Sequence, residues 1–162
     1  MSVVGHSNCP RDFEKQGYQF TYFTRPGLTI RQFQRDYLDR LLATPTDKII
    51  LFLFDNELRH DLPCYIYAKF RSLYFFLRNR VCYDIVIVDI LPRKVTPYNG
   101  VTPNEINRRR ALTRNYKIFI RHFSIPFVPL RFVQYLPLLK PDGIHLTYAG
   151  RQLLKQEILQ KI

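Results

Sequence analysis

Acidic side chains are scarce in this sequence: 13 Asp and Glu stand against 25 Lys and Arg, leaving a net charge of +12. An imbalance of that size favours a polyanionic partner through steering and counterion release, and it carries no information about fold. Long apolar runs are missing too. None approaches the roughly 20 residues that span a bilayer, and the opening "MSVVGHSNCPRDF" has neither the basic region nor the apolar stretch of a signal peptide. A soluble intracellular protein, cytoplasmic or nuclear, with no transmembrane segment is the expectation. Cysteine is sparse: Cys9, Cys64 and Cys82 are odd in number, form no C-x-x-C pair and have no histidine at zinc spacing. They read as reduced, mostly buried thiols rather than a disulfide framework or a zinc site. No metal and no other cofactor is called for. Internal repeats, low-complexity tracts and linkers are absent, so the 162 residues read as one domain with a full core.

What is present points to a globular α/β chain. The composition, 46% hydrophobic and 23% charged, rules out a disordered one. Short runs rich in β-branched and aromatic residues occupy 2–5, 18–24, 48–54, 84–90 and 126–130, all of strand length. Helical spacing fills the gaps. Over 30–42, Ile30, Phe33, Tyr37, Leu38 and Leu41 share a face, with Arg31, Arg35 and Arg40 mostly elsewhere. Over 64–80, Tyr67, Phe70, Leu73, Tyr74 and Leu77 recur every three or four residues. A third helix is predicted over 103–122, with Thr102 as N-cap and Pro103 in its first turn. A fourth, over 147–161, has Thr147 as its cap and Leu153, Leu154, Ile158 and Leu159 as its buried stripe. Strand and helix alternating in this way call for right-handed crossovers and a parallel sheet covered on both faces. The nearly continuous apolar runs at 49–54 and 85–90 suit doubly covered central strands. The first strand is short, which raises the expectation of trimming at that end.

In an open parallel sheet, ligands bind beyond the carboxyl ends of the strands. The loop after the first strand carries Gly5-His6-Ser7-Asn8, where a serine can present both its hydroxyl and its N–H. The second carries Arg25-Pro26-Gly27, and glycine there lets a backbone N–H approach a ligand closely. The third puts the amide of Asn56 at a strand end. The last supplies Asp142 and His145, three residues apart after a turn proline. Each has a plain structural explanation taken alone: a turn serine, a turn or cap asparagine, a surface histidine, and an Asp that closes the Pro141-Asp142-Gly143 turn. Together they form a parts list for acyl transfer, with a nucleophile, a base, a carboxylate to orient the base, and donors around a developing oxyanion.

The order Gly5-His6-Ser7, Gly27, Asn56 and Asp142-Gly143-Ile144-His145 resembles the four sequence blocks of the SGNH (GDSL-like) hydrolases, from residue 3 to about 160. "GHS" with "DGIHLTYAGRQLL" is similar to the SGNH domains carried by retroelements. The resemblance implies a three-layer α/β/α sandwich around a five-stranded parallel sheet, of flavodoxin-like type. It also implies Ser7 as nucleophile, His145 as general base and Asp142 as its partner, with the N–H groups of Ser7 and Gly27 and the amide of Asn56 as oxyanion hole. The substrate it implies is a small acyl ester. Two departures stand out. His6 replaces the Asp usual in the first block, a change shared by the retroelement-type domains. Phe54-Asp55-Asn56-Glu57 replaces the usual Gly-x-Asn-Asp of the third block, and phenylalanine there is expected to narrow the site or tilt Asn56. Loss of that amide donor would cost about 2.7 to 4 kcal/mol of transition-state stabilisation.

The predicted helix over 103–122 also gathers Arg108, Arg109, Arg110, Arg114, Lys117 and Arg121, with no acid after Glu105. A solvated face is one reading; contact with RNA, DNA or anionic lipid is the other. Neither an RNP-type aromatic signature nor a zinc knuckle accompanies it. Arg93 and Lys94 read equally as contacts for an anionic substrate group or as rim residues. The alternative to an esterase is therefore a catalytically weak SGNH-like module that binds nucleic acid or a membrane surface. A nucleotide-binding flavodoxin-like domain is disfavoured, because no Gly-rich phosphate loop follows the first strand.

Overall fold

The computed structural model describes residues 1–130 and 138–162; part of the loop predicted to lead to His145 thus lies outside the described residues. Five strands, β1 (Ser2–Gly5), β2 (Thr21–Thr24), β3 (Lys48–Phe52), β4 (Asp84–Val88) and β5 (Phe127–Val128), form one sheet in the order β2-β1-β3-β4-β5. Every pairing is parallel, as predicted. The strands at 18–24 and 126–130 are shorter than their apolar runs suggested. The helices are α1 (Ile30–Asp36), α2 (Leu38–Leu42), α3 (Pro63–Arg80), α4 (Pro103–His122) and α5 (Tyr148–Leu159), and a 3-10 turn spans Asn56–Arg59.

Alternation along the central strands divides the core in two. Ile49, Leu51, Ile85 and Ile87 face α1 to α4, while Ile50, Phe52, Val86 and Val88 face α5 together with Phe13, Leu130 and Leu146. On the first side Phe70 meets Tyr116 edge-on, ring centroids 4.7 Å apart. The Tyr116 hydroxyl donates to the Phe54 carbonyl at 2.9 Å, which satisfies a buried phenol and ties α4 to the end of β3.

The helix starts follow their caps. Thr102 accepts from the N–H of Glu105, Thr147 from that of Gly150, and Thr29 forms a capping box with Gln32. The single helix predicted over 30–42 is instead two. Tyr37 leaves helical geometry (φ −130°, ψ −21°), and its ring packs against Phe23 and Phe33 while Leu41 remains fully buried. On α5, Leu153 is 39% exposed rather than part of the buried stripe. The cysteines are free, but Cys64 is exposed and only Cys9 is fully buried. Among the described residues, no helix is long and apolar enough to cross a membrane.

Candidate active site

The strand order reverses direction at β1, whose neighbours are β2 on one side and β3 on the other. A crevice opens at the carboxyl ends of strands at such a switch point. Here it is a cleft of about 460 Å³, lined by Ser7, Gly27, Asn56 and His145, with Gln32, Arg59 and His60 also contributing to its lining. Ser7 lies two residues past β1, Gly27 in the turn after β2, Asn56 at the start of the 3-10 turn after β3, and His145 just ahead of α5. Gly27 has φ +67°, the left-handed conformation glycine adopts without strain. Among the described residues, neither the Ser7 hydroxyl nor the N–H of Ser7 or Gly27 is taken by another protein group. The serine and the imidazole share the cleft without a hydrogen bond between them; such pairs often tighten only around a bound substrate.

Asp142 and His145, three residues apart, are bonded directly. His145 Nδ1 lies 2.7 Å from Asp142 Oδ2, while Asp142 Oδ1 accepts from the N–H groups of Ile144 and His145, each at 2.9 Å. Partial burial alone would raise the Asp142 pKa, but these two backbone donors and the imidazole outweigh it and hold the carboxyl down at about 2. With Nδ1 tied to a carboxylate, Nε2 is the ring nitrogen left for the cleft. The loop is closed at its base by an antiparallel bridge between Leu139 and Leu146 and by the bond from Lys140 N–H to the His145 carbonyl, 2.7 Å.

The departures in the third block turn out to build scaffold. Phe54 does not narrow the cleft: it is 2% exposed and packs into the α1–α4 side of the core, near Phe33. Asn56 Nδ2 donates to the Leu28 carbonyl at 2.9 Å, and its Oδ1 accepts from Arg93 at 3.0 Å. A guanidinium has donors only, so Arg93 fixes which way the amide faces; among the described residues the second Nδ2–H has no partner. Glu57, seated on the same turn, accepts from the Ile30 N–H at the start of α1. Burial pushes its carboxyl up, against that bond.

Arg93 is therefore neither a rim residue nor a free anion contact. Its side chain is 10% exposed and it also reaches Glu105 at 3.3 Å and Asp55 at 3.8 Å. Arg109 turns inward as well, pairing with Asp55 and, at 3.2 Å, with Glu105. The predicted basic face thus loses Arg109, because positions 105, 109, 112, 116, 119 and 120 form the buried side of α4. Arg108 also leaves the face, donating to the Leu58 carbonyl at 3.1 Å. Two guanidiniums and two carboxylates balance. Although burial opposes it, Arg109 and Arg93 keep Asp55 below the ordinary carboxylate range. Asp55, the one carboxylate lining the cleft among the described residues, is thereby held as a charge-paired anion.

Three asparagine and histidine roles escaped the sequence reading. Asn8 is 3% exposed; its amide donates to the Ile144 carbonyl at 3.2 Å and accepts from the Leu146 N–H at 3.0 Å, clasping the His145 loop from the start of the chain. Asn99 steadies the same loop from the other side, donating to the carbonyls of Lys94 and Asp142 at 2.6 and 2.8 Å. His6 is buried edge-on against Phe52, and burial first, then Arg93 and Arg109, lower its pKa against the pull of Asp55. A neutral His6 accepts the Asn8 N–H at 3.4 Å through Nδ1. Among the described residues, no group of three or more His, Cys, Asp or Glu comes together as a metal site.

Neither a family model nor a curated protein matches this chain in sequence. Solved structures do match its backbone. A putative acylhydrolase from Bacteroides fragilis is similar with a TM-score of 0.83 at 16% identity, over 98% of this chain and 84% of that one. A GDSL-like lipase from Bacteroides thetaiotaomicron gives 0.80 at 14%, over 98% and 85%. The chain has the fold of the SGNH hydrolases. An acetylxylan esterase from Geobacillus stearothermophilus shares it too, with a TM-score of 0.75 at 14% identity over 99% of this chain and 92% of that one. A catalytic mutant of that esterase carries alanine in place of a serine.

Proposed function

We propose that this chain is a serine esterase of SGNH type, with Ser7 as nucleophile, His145 as general base and Asp142 as the carboxylate that orients it. The observation that carries the reading is the convergence of Ser7, Gly27, Asn56 and His145, from four separate loops, on one cleft, with Asp142 already bonded to the imidazole. The Ser7 oxygen attacks the ester carbonyl carbon as His145 Nε2 takes the hydroxyl proton. The oxyanion that forms is met by the N–H groups of Ser7 and Gly27 and by the free Nδ2–H of Asn56. Collapse breaks the bond to the alcohol, which leaves with the proton from His145. Water, deprotonated by the same imidazole, then releases the carboxylic acid and restores Ser7.

The cleft lining supports a short acyl group. Pro26, Leu91 and Ile144 are its few apolar members and the rest are polar or glycine, so a long chain would find little apolar surface to bury against. The GDSL-like lipase, acylhydrolase and acetylxylan esterase neighbours support ester hydrolysis as the reaction class. The sequence blocks "GHS" and "DGIHLTYAGRQLL" support an origin as a domain of a retroelement-derived protein. A fluorophosphonate probe tests the mechanism: Ser7 should be labelled, and Ser7→Ala should lose both labelling and turnover of p-nitrophenyl acetate. Turnover that survives intact in that variant rules out the serine mechanism.

A further inference from the structure

Four cations remain on the outer side of α4 once Arg108 and Arg109 are accounted for. Arg110, Arg114, Lys117 and Arg121 are all exposed and spaced four, three and four residues apart, so they form one ridge. At 1.5 Å per residue the ridge is about 16 Å long. A shallow groove of about 300 Å³ runs along it, lined by these four with Thr113 and Ile118. Among the described residues, Arg110, Arg114 and Arg121 enter no ion pair, and Lys117 has only Asp89, at 3.8 Å. The neighbouring helix differs. On α3, Lys69 pairs with Asp61 at 2.7 Å, while Arg71 and Arg78 lie over the rings of Tyr67 and Tyr83. Three of the four cations on α3 are thus engaged by their own surroundings, Arg80 being the exception among the described residues; on the α4 ridge three of the four are held out to solvent.

We infer that this ridge binds the phosphodiester backbone of a nucleic acid. A lipid surface suits it poorly, because an interfacial helix must offer an apolar face to the acyl region. The apolar face of α4 (Leu112, Tyr116, Phe119, Ile120) is already buried in the core, which leaves Ile118 as the one large apolar side chain exposed among the cations. The exposed residues from 110 to 121 include no aromatic ring, so the ridge has no platform for stacking bases. It therefore reads charge and spacing, not sequence. This inference does not depend on the esterase reading, since none of the four residues lines the cleft of Ser7.

The test is fluorescence anisotropy with a labelled 20-nucleotide single-stranded RNA, the matching DNA strand and the DNA duplex, across a KCl series. Each phosphate neutralised on a single strand contributes about −0.7 to the slope of log K against log[salt], so four contribute about −2.8. The variant R110Q/R114Q/K117Q/R121Q should flatten the slope by that amount and weaken binding at 0.1 M salt on the order of 500-fold. K69Q/R71Q/R78Q/R80Q removes the same number of charges from α3 and should cost less than a tenth of that factor. Equal losses in the two variants would reduce the effect to net charge and overturn the inference. So would RNA binding undiminished in the α4 variant, or binding to phosphatidylserine vesicles in preference to all three oligonucleotides. All four substitutions are at exposed positions, and an unchanged circular-dichroism melt together with unchanged p-nitrophenyl acetate turnover separates lost contact from lost fold.

Discussion

Arg93→Lys isolates the aim of the Asn56 amide from the charge balance around it. Arg93 Nη2 donates to Asn56 Oδ1 at 3.0 Å, and Nη1 to Glu105 at 3.3 Å. With Arg109 it balances the charges of Asp55 and Glu105. Lysine preserves that balance but is a compact point charge that cannot span both acceptors as a planar fork does. Arg93→Met, by contrast, leaves an unpaired buried carboxylate and should cost about 3–5 kcal/mol of stability. For Arg93→Lys we expect a loss of less than about 1.5 kcal/mol in urea unfolding, within the ordinary range for one substitution. Removal of a whole oxyanion donor costs about 100- to 1,000-fold in kcat. A donor left in place but free to turn should cost less, about 10- to 100-fold, read as p-nitrophenyl acetate turnover and as the rate of fluorophosphonate labelling. Coupling supplies the decisive comparison. If Arg93 acts through the amide, Arg93→Lys should have almost no further effect in an Asn56→Ala background. Fully additive losses, or kcat within twofold of the parent in the single variant, would refute the reasoning.

Two further outcomes follow from the same geometry. Asn8→Ala strips partners from the Ile144 carbonyl and the buried Leu146 N–H, so it should destabilise by about 2–4 kcal/mol and slow Ser7 labelling at temperatures where the fold persists; normal labelling with normal stability would contradict the clasp. The lowered pKa of His6 means that an unfolded chain takes up a proton near pH 6.5 that the folded chain refuses. Its contribution to stability is thus complete above about pH 6.5 and lost as pH falls, with a slope of at most about 1.4 kcal/mol per pH unit. Melting curves from pH 8 to 5 should fall less steeply for His6→Gln than for the parent, and identical slopes would count against a neutral buried His6.

Periodicity carried most of the fold, because strands buried on both faces and helices buried on one leave strong local patterns. Ile49 to Phe52 and Ile85 to Val88 were legible as central strands for that reason. The break at Tyr37 was not, since the residue keeps its helical spacing in the sequence, and the ring contacts with Phe23 and Phe33 that accompany the break involve strand β2 as well. Arg109 was legible in principle: position 109 falls on the same face as Leu112 and Tyr116, and Glu105 stands one turn before it. The candidate site residues were assigned to their loops by the order of the sequence blocks. Their supports were not, because Asn8 and Asn99 act through backbone groups and Arg93 through the side chains of Asn56 and Glu105, most of them distant in sequence, and nothing local distinguishes them from ordinary loop residues.

The clasp between Asn8 and Leu146 joins positions 138 residues apart. A nascent polypeptide emerging from the ribosome can complete β1 and expose its serine long before the histidine has been synthesised. Under the proposed mechanism the nucleophile then waits for His145, and a chain that stops before that residue should neither turn over p-nitrophenyl acetate nor be labelled by fluorophosphonate.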